Sequence, residues 1–442
     1  RQPGEEMRFQ YHQAHLPVKQ QSEAVGHAVR AVYLYSGMAD VARLAQDEAM
    51  YDACRRLWDS IVNEKLYITG GIGGTHLGEA FSWPYDLPND TAYSETCAAI
   101  GLAFFARRML EIRADSRYGD VMEQALYNTV LAGMALDGKS FFYVNPLEVV
   151  PEACKKDERK HHVKPVRQKW FGCACCPPNI ARIVSSFGAY VYTQNEGTLY
   201  THLYAGSRIS CTLNGTEIDM KLESAFPWDG EAKAVLHMEG PARGTFAFRV
   251  PGWCREAKAE VLRNSMTLSD CRVEEGALRE TGQQFTPEQG MNVRLERGYL
   301  YLTGEWQDGD EIYLHFPMEV RCMTANPKVR EDLGKVAFTR GPVCYCMEEI
   351  DNGKNLHLLS VDPEKVYNGV TVETFNGLGH EMRILKVPGK RLADSAEGDE
   401  LYRDYRDTLT ERFREDAVTL TFVPYYAWNN RGEGEMTVWV KA

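Results

Sequence analysis

Asn179-Ile180-Ala181-Arg182-Ile183-Val184-Ser185-Ser186-Phe187 is followed within a dozen residues by Thr198-Leu199-Tyr200-Thr201-His202-Leu203-Tyr204. The first stretch repeats its apolar residues three and four apart, the signature of an amphipathic helix. The second alternates and is rich in β-branched and aromatic residues, as strands are. The character of the chain therefore changes near residue 195. Upstream, helical periodicity runs through Glu23–Leu44, Glu48–Asn63, Glu95–Ala114, Arg117–Leu136 and Asn179–Val191. Downstream, short strands such as Thr245–Val250 and Glu311–Phe316 sit between turn signals, among them Asn214-Gly215 and Asp308-Gly309-Asp310. The expected organisation is helical over 1–195, then all-β over 196–323 and 324–442, read as two β-sandwich domains.

Composition fits this division. A chain of 442 residues exceeds one ordinary core. Its 44% hydrophobic and 25% charged residues are those of a globular protein. A net charge of −12 argues against nucleic-acid binding. The longest apolar run, Cys97 to Ala106, stops at Arg107-Arg108, too short for a membrane span. No signal peptide is evident. The twelve cysteines are irregularly spaced, unlike a disulfide scaffold, so a reducing, cytoplasmic setting is expected.

Just ahead of the Asn179 helix lies Cys173-Ala174-Cys175-Cys176-Pro177-Pro178. Prolines are tolerated in a first helical turn, which puts the thiols at a helix N-terminus, where thiolate is favoured. Glu95-Thr96-Cys97 lies about eighty residues upstream. Glu95, Cys97, Cys175 and Cys176 supply four ligands of the kind zinc takes, although Cys173 could replace any of the three thiols. Positions two apart do not share a helix face, so Glu95 and Cys97 can converge only in an irregular first turn, with Ser94 as the expected cap. A purely structural zinc knot is the competing reading.

The stretch Leu66 to Ser94 is long and irregular, and carries Gly70-Gly71-Ile72-Gly73-Gly74-Thr75-His76-Leu77-Gly78-Glu79. No Gly-Lys-Ser/Thr follows, so a phosphate cradle is disfavoured against backbone packed closely on a small ligand. Glu79 lies near Phe81 and Trp83, an apolar setting expected to raise its pKa and suit it to general acid work. His27 falls on an apolar stripe, where a satisfied core histidine is the usual case. Tyr143 reads as core or as a hydroxyl donor into a cleft. The Lys155–Lys169 run, with His161-His162, reads as a solvated loop rather than a second metal site.

Taken in order, Ile68-Thr69-Gly70-Gly71-Ile72-Gly73 through Gly78-Glu79, then Tyr93-Ser94-Glu95-Thr96-Cys97-Ala98, then Cys173–Asn179, resemble the β-L-arabinofuranosidases of glycoside hydrolase family 127. Pro424-Tyr425-Tyr426-Ala427-Trp428-Asn429-Asn430-Arg431-Gly432 is similar to that family's C-terminal signature. The resemblance implies an (α/α)6 barrel followed by β-sandwich domains. A full double ring needs twelve helices and only five or six precede residue 195, so it further implies a partial barrel, with helices upstream of Arg1.

It implies Cys175 as nucleophile, Glu79 as general acid/base, His27 and Tyr143 as substrate contacts, and Zn2+ held by Glu95, Cys97, Cys175 and Cys176. Cys173 has no assigned task. The implied reaction is release of L-arabinose from a β-L-arabinofuranoside with retention, on a small carbohydrate or glycan, with Trp83, Tyr85 and Trp170 as stacking candidates. A homodimer is compatible with this. The alternatives are a non-catalytic carbohydrate-binding protein with structural zinc, and a zinc hydrolase using metal-bound water.

Overall fold

In the computed structural model the described residues are 5–274, 283–284, 290–393, 401, 402, 404, 406 and 415–442. The helices Ala28–Ala45, Glu48–Glu64, Thr96–Ile112 and Ser116–Ala125 pack together, with Cys176–Ser185 against the third. Asp47 caps Glu48–Glu64 by accepting from Met50 N at 3.1 Å. The Thr96–Ile112 helix is apolar on all sides and buried continuously from Thr96 to Ala106. A helix of that composition must lie at the centre of its layer. Gly101 permits this: a Cβ there would lie 2.5 Å from Val32 Cγ2 of the neighbouring helix.

The expected helix over Arg117–Leu136 ends early. After Ala125 it widens into a π-helical turn, Leu126–Val130. There the Asn128 side chain donates to Pro342 O at 2.9 Å and accepts from Cys344 N at 2.7 Å. Helical periodicity cannot register a tertiary partner of this kind.

The middle of the chain forms two six-stranded sheets. One runs Gln283–Gln284, Asn292–Glu296, Tyr299–Trp306, Ala242–Arg249, Thr198–Thr201, Tyr192–Gln194. The other runs Ser207–Leu213, Thr216–Ser224, Glu231–His237, Glu311–His315, Glu256–Arg263, Met266–Glu274. Asn214 and Gly215, both at positive φ, turn Leu213 back onto Thr216. Leu213, Met220 and Leu222 of one sheet share a core with Phe246, Leu302 and Trp306 of the other.

The last part differs from the second sandwich expected. It is one ten-stranded sheet. Within it Val343–Glu348, Glu415–Pro424, Met382–Leu392, Leu359–Val361, Val440–Lys441 and Lys335–Arg340 pair in succession, and the last pairs back with the first. Closure removes the free edges that open sheets expose. Short alternating strands read alike in a sandwich and a barrel, which is why the sequence pattern missed it. Val320–Met323 pairs with Lys335–Arg340, so this strand belongs to the last sheet.

Further contacts tie the helical layer to the sheets. Glu148–Val149 adds a strand to Met436–Thr437. Arg249, fully buried, pairs with Asp120 and Glu123 of the Ser116–Ala125 helix and donates to His202 O at 2.6 Å. Among the described residues no helix is long and apolar enough to cross a membrane.

Candidate metal and catalytic site

The site forms where two helix N-termini meet. Thr96–Ile112 begins after Glu95, which holds an extended conformation at φ −64°, ψ 135°. Extended backbone at Glu95 and helical backbone at Cys97 let both side chains turn the same way. The expected Ser94 cap is absent: Ser94 sits at φ 37° and its buried hydroxyl has no hydrogen-bond partner. The turn is instead stitched to 142–145. Thr96 N donates to Tyr143 O at 3.0 Å, Thr96 Oγ1 to Phe142 O at 3.0 Å, and Asn145 Nδ2 to Ser94 O at 2.9 Å. This carries Tyr143 into the site. The second helix starts at Cys176 with Pro177 and Pro178 in its first turn.

Glu95, Cys97, Cys175 and Cys176 place one donor atom each within 4.8 Å of the others. Cys97 Sγ and Cys176 Sγ are 3.6 Å apart, and Cys175 Sγ and Cys176 Sγ 3.8 Å. Cys175 Sγ lies 3.4 Å from Glu95 Oε1. A tetrahedral ion with zinc–sulfur bonds of about 2.3 Å requires sulfur–sulfur edges of about 3.8 Å. Glu95 Oε2 is buried with no hydrogen-bond partner. Donor chemistry, spacing and this orphaned oxygen all fit zinc. Cys173 is exposed and stands outside the set.

Without a cation the four groups cannot all ionise. Burial, followed by the charge on Cys175, pushes the Glu95 carboxyl up to about 9. Hydrogen bonds from the Cys176 and Cys97 thiols pull Cys175 well below the usual thiol range. The same sharing pushes Cys97 and Cys176 up. These hydrogen bonds favour the ionised form at Cys175 over Cys97 and Cys176, and Cys175 Sγ is 3.2 Å from Tyr143 OH. Cys97 and Cys176 are buried and Cys175 only partly so.

Glu79 sits beside Gly78, both at positive φ, a costly backbone for a glutamate. That conformation directs its carboxylate to His27 Nε2 at 3.0 Å and Tyr93 OH at 2.8 Å. The pKa expectation is reversed here. The His27 hydrogen bond, assisted by Tyr93 and opposed by desolvation, holds Glu79 below the usual carboxylate range. His27 stands at the N-cap of Ala28–Ala45 rather than inside its apolar stripe. Tyr93 was not singled out in the sequence. Its adjacency to Ser94-Glu95 was the available signal.

Two of the glycines make room for the chain itself. A Cβ on Gly70 would lie 2.6 Å from Ala125 backbone, and one on Gly71 1.9 Å from Ser94 Oγ. Trp83 and Trp170 are 70% and 68% exposed, so neither is core. Tyr85 is half-buried beneath Lys328 Nζ, 4.7 Å from its ring centre. His161 is exposed. His162 stacks on His76 at 4.5 Å, and burial lowers its pKa to about 4.

Three domain models of one family match the chain. They are the beta-L-arabinofuranosidase GH127 catalytic domain over 4–189, the GH127 middle domain over 198–318 and the glycoside hydrolase family 127 C-terminal domain over 320–441. The chain is 37% identical over 433 residues to a non-reducing end beta-L-arabinofuranosidase of Bifidobacterium longum subsp. longum, covering 97% of this chain and 61% of that protein. A solved GH127 beta-L-arabinofuranosidase from Geobacillus stearothermophilus T6 superposes with a TM-score of 0.88 at 45% identity, over 98% of this chain and 63% of that one. A solved GH127 beta-arabinofuranosidase gives 0.81 at 36%, over 98% and 62%. The chain thus spans about three-fifths of the length of these relatives.

Proposed function

We propose that this chain, which belongs to glycoside hydrolase family 127, acts as a retaining hydrolase that releases L-arabinose from β-L-arabinofuranosides. Residues 1–195 make up part of an (α/α)6 catalytic barrel. We take 196–323 and 324–442 as the domains that follow, with the strand Val320–Met323 pairing onto Lys335–Arg340. The observation that carries the reading is the cluster itself: Glu95, Cys97, Cys175 and Cys176 each bring a donor atom within 4.8 Å of the others, and of the three thiols Cys175 is the one left partly accessible.

Cys175 Sγ attacks the anomeric carbon and the glycosidic oxygen leaves with a proton from Glu79. In the second step Glu79 takes a proton from water, which displaces the sulfur and leaves the sugar with its configuration retained. A carboxylate held low by His27 and Tyr93 is suited to that second step. The first step requires its protonated form, so the rate of leaving-group departure falls as pH rises through the Glu79 pKa. His27 and Tyr93 orient the carboxylate, and the Tyr143 hydroxyl stands 3.2 Å from the sulfur. Zn2+, held by Glu95, Cys97, Cys175 and Cys176, would keep the sulfur as thiolate and make it a competent leaving group. Free thiols in the site suit a reducing compartment, and we place the protein in the cytoplasm.

Intact-mass measurement on the zinc-loaded full chain with a slow aryl β-L-arabinofuranoside is the test. A pentosyl adduct on Cys175, absent from Cys175→Ser, is expected. Product formation with no adduct at any time under single-turnover conditions would instead support metal-bound water as the attacking group.

A further inference from the structure

The run 155–169 reads as solvated in the sequence, yet His162 turns inward from it. Its half-buried ring meets two others, stacking on His76 at 4.5 Å and 19° and on Tyr93 at 6.0 Å and 28°. Both neighbours belong to the Glu79 assembly. His76 lies in the tight turn that carries Glu79. There Thr75 and Ala80 exchange backbone hydrogen bonds at 3.2 and 3.1 Å, and Glu79 N donates to His76 O at 3.3 Å. Tyr93 is the residue whose hydroxyl reaches Glu79 Oε1 at 2.8 Å.

The imidazole is itself held in place. His162 Nε2 lies 3.2 Å from Thr91 O, and a carbonyl only accepts, so this nitrogen carries a proton. Thr91 stands two residues before Tyr93, and Lys160 pairs with Asp90 just ahead of it. Val163 is buried, with its N–H on Lys160 O at 2.9 Å. Burial keeps the ring neutral, so it lies against His76 without charge repulsion. Tyr93 in turn stands edge-on to Tyr143 at 6.1 Å and 63°, and the Tyr143 hydroxyl is 3.2 Å from Cys175 Sγ.

We propose that His162 is a positioning residue, a flat wedge that sets the Tyr93 ring against the Glu79 turn so that the phenol holds the carboxylate in its proton-transfer geometry. The proposal rests on the acid/base role of Glu79 given above. A carboxylate on a turn can rotate unless its donors are fixed, and a phenol is a fixed donor only while its ring cannot tilt. The Thr91 hydrogen bond stops the imidazole from rotating, and the stack on His76 ties it to the turn that bears Glu79. Without the wedge, Tyr93 can move relative to both Glu79 and Tyr143. Misplacement by about 1 Å can lower a catalytic rate by about 10²-fold.

The test is steady-state kinetics of the full chain on an alkyl β-L-arabinofuranoside and on an aryl one with a good leaving group. His162→Ala is expected to lower kcat/KM on the alkyl glycoside about 10–100-fold, through kcat rather than KM. The loss on the aryl glycoside should be far smaller, because its departure needs little proton donation. His162→Phe keeps a ring against Tyr93 and should recover most of the loss, whereas His162→Gln should not. In a Tyr93→Phe background the His162→Ala loss should largely disappear, since it acts through that hydroxyl. Should His162→Ala not fold, the Phe and Gln variants decide, and equal rates in the two overturn the wedge. So do equal losses on both glycosides, a loss carried by KM alone, or a loss undiminished beside Tyr93→Phe. A Glu79→Gln variant that loses equally on both glycosides overturns the acid role and the wedge together. A substrate-selective loss in Glu79→Gln beside a parent-like His162→Ala overturns the wedge alone.

Discussion

Glu79 is where local sequence and three-dimensional setting disagree most. Phe81 and Trp83 suggest an apolar pocket, yet Trp83 points largely to solvent while His27 and Tyr93 donate to the carboxylate. This gives a pH prediction with a definite sign. Removing a donor raises a carboxylate pKa, so His27→Ala should keep Glu79 protonated to higher pH and move the alkaline limb of kcat upward. A pH–rate profile on an unactivated glycoside checks it. Glu79→Gln should cost about 10²–10⁴-fold on that substrate, and far less on an aryl glycoside whose leaving group needs no proton. Equal losses on both would remove Glu79 from the acid role.

Among the elements, the C-terminal Pro424–Gly432 run has a mechanical part that its composition does not announce. Arg167, buried, donates from its guanidinium to Ala132 O at 2.9 Å, Trp428 O at 2.6 Å and Tyr426 O at 3.3 Å. Asn429 Nδ2 holds Pro165 O at 2.8 Å, and Asn430 Oδ1 accepts from Leu136 N at 3.0 Å. Trp428 stacks on Phe142, the neighbour of Tyr143, at 4.7 Å. The run therefore splints the segment that delivers Tyr143 to the sulfur. Arg167→Met removes a donor from three carbonyls, of which Trp428 O keeps Asn430 Nδ2 at 3.3 Å, and should cost about 3–5 kcal/mol, read by denaturant unfolding. Its KM should rise in parallel if Tyr143 shifts.

On the scale of the whole molecule, charged groups lock the layers together. Arg249 spans from a sheet to Asp120 and Glu123. Arg249→Met leaves the buried Glu123 and the partly exposed Asp120 without their cation and is expected to cost about 3–5 kcal/mol, whereas replacing all three by apolar groups should recover much of that. Thermal unfolding of the single and triple variants separates these outcomes. Asn89 Nδ2 donates to Asp332 Oδ1 at 2.7 Å across another junction. Burial pushes Asp332 up to about 6 from an ordinary 3.8. The folded state thus prefers the protonated acid. Its contribution is present below about pH 4 and lost as pH rises through 6, about 3 kcal/mol in all. Asp332→Asn should match the parent at pH 4 and exceed it by about that amount at pH 8, measured as unfolding free energy.

The sequence by itself determined the change from helices to strands near 195, because periodicities of 3.6 and 2 are local properties of burial. It also determined the Cys-Cys-Pro-Pro helix start and the soft-metal character of the donor set, since these depend on residue chemistry and short spacing. Only the tertiary structure decided the rest. That the last sheet closes on itself depends on pairing between strands as distant as 335–340 and 440–441. That Glu79 is held low rather than raised depends on His27, some fifty residues away. That three thiols meet in one cluster depends on the approach of sulfurs that are adjacent or eighty residues apart in the chain. Electrostatics and sheet closure are set by separation in space, and one-dimensional pattern carries no measure of it.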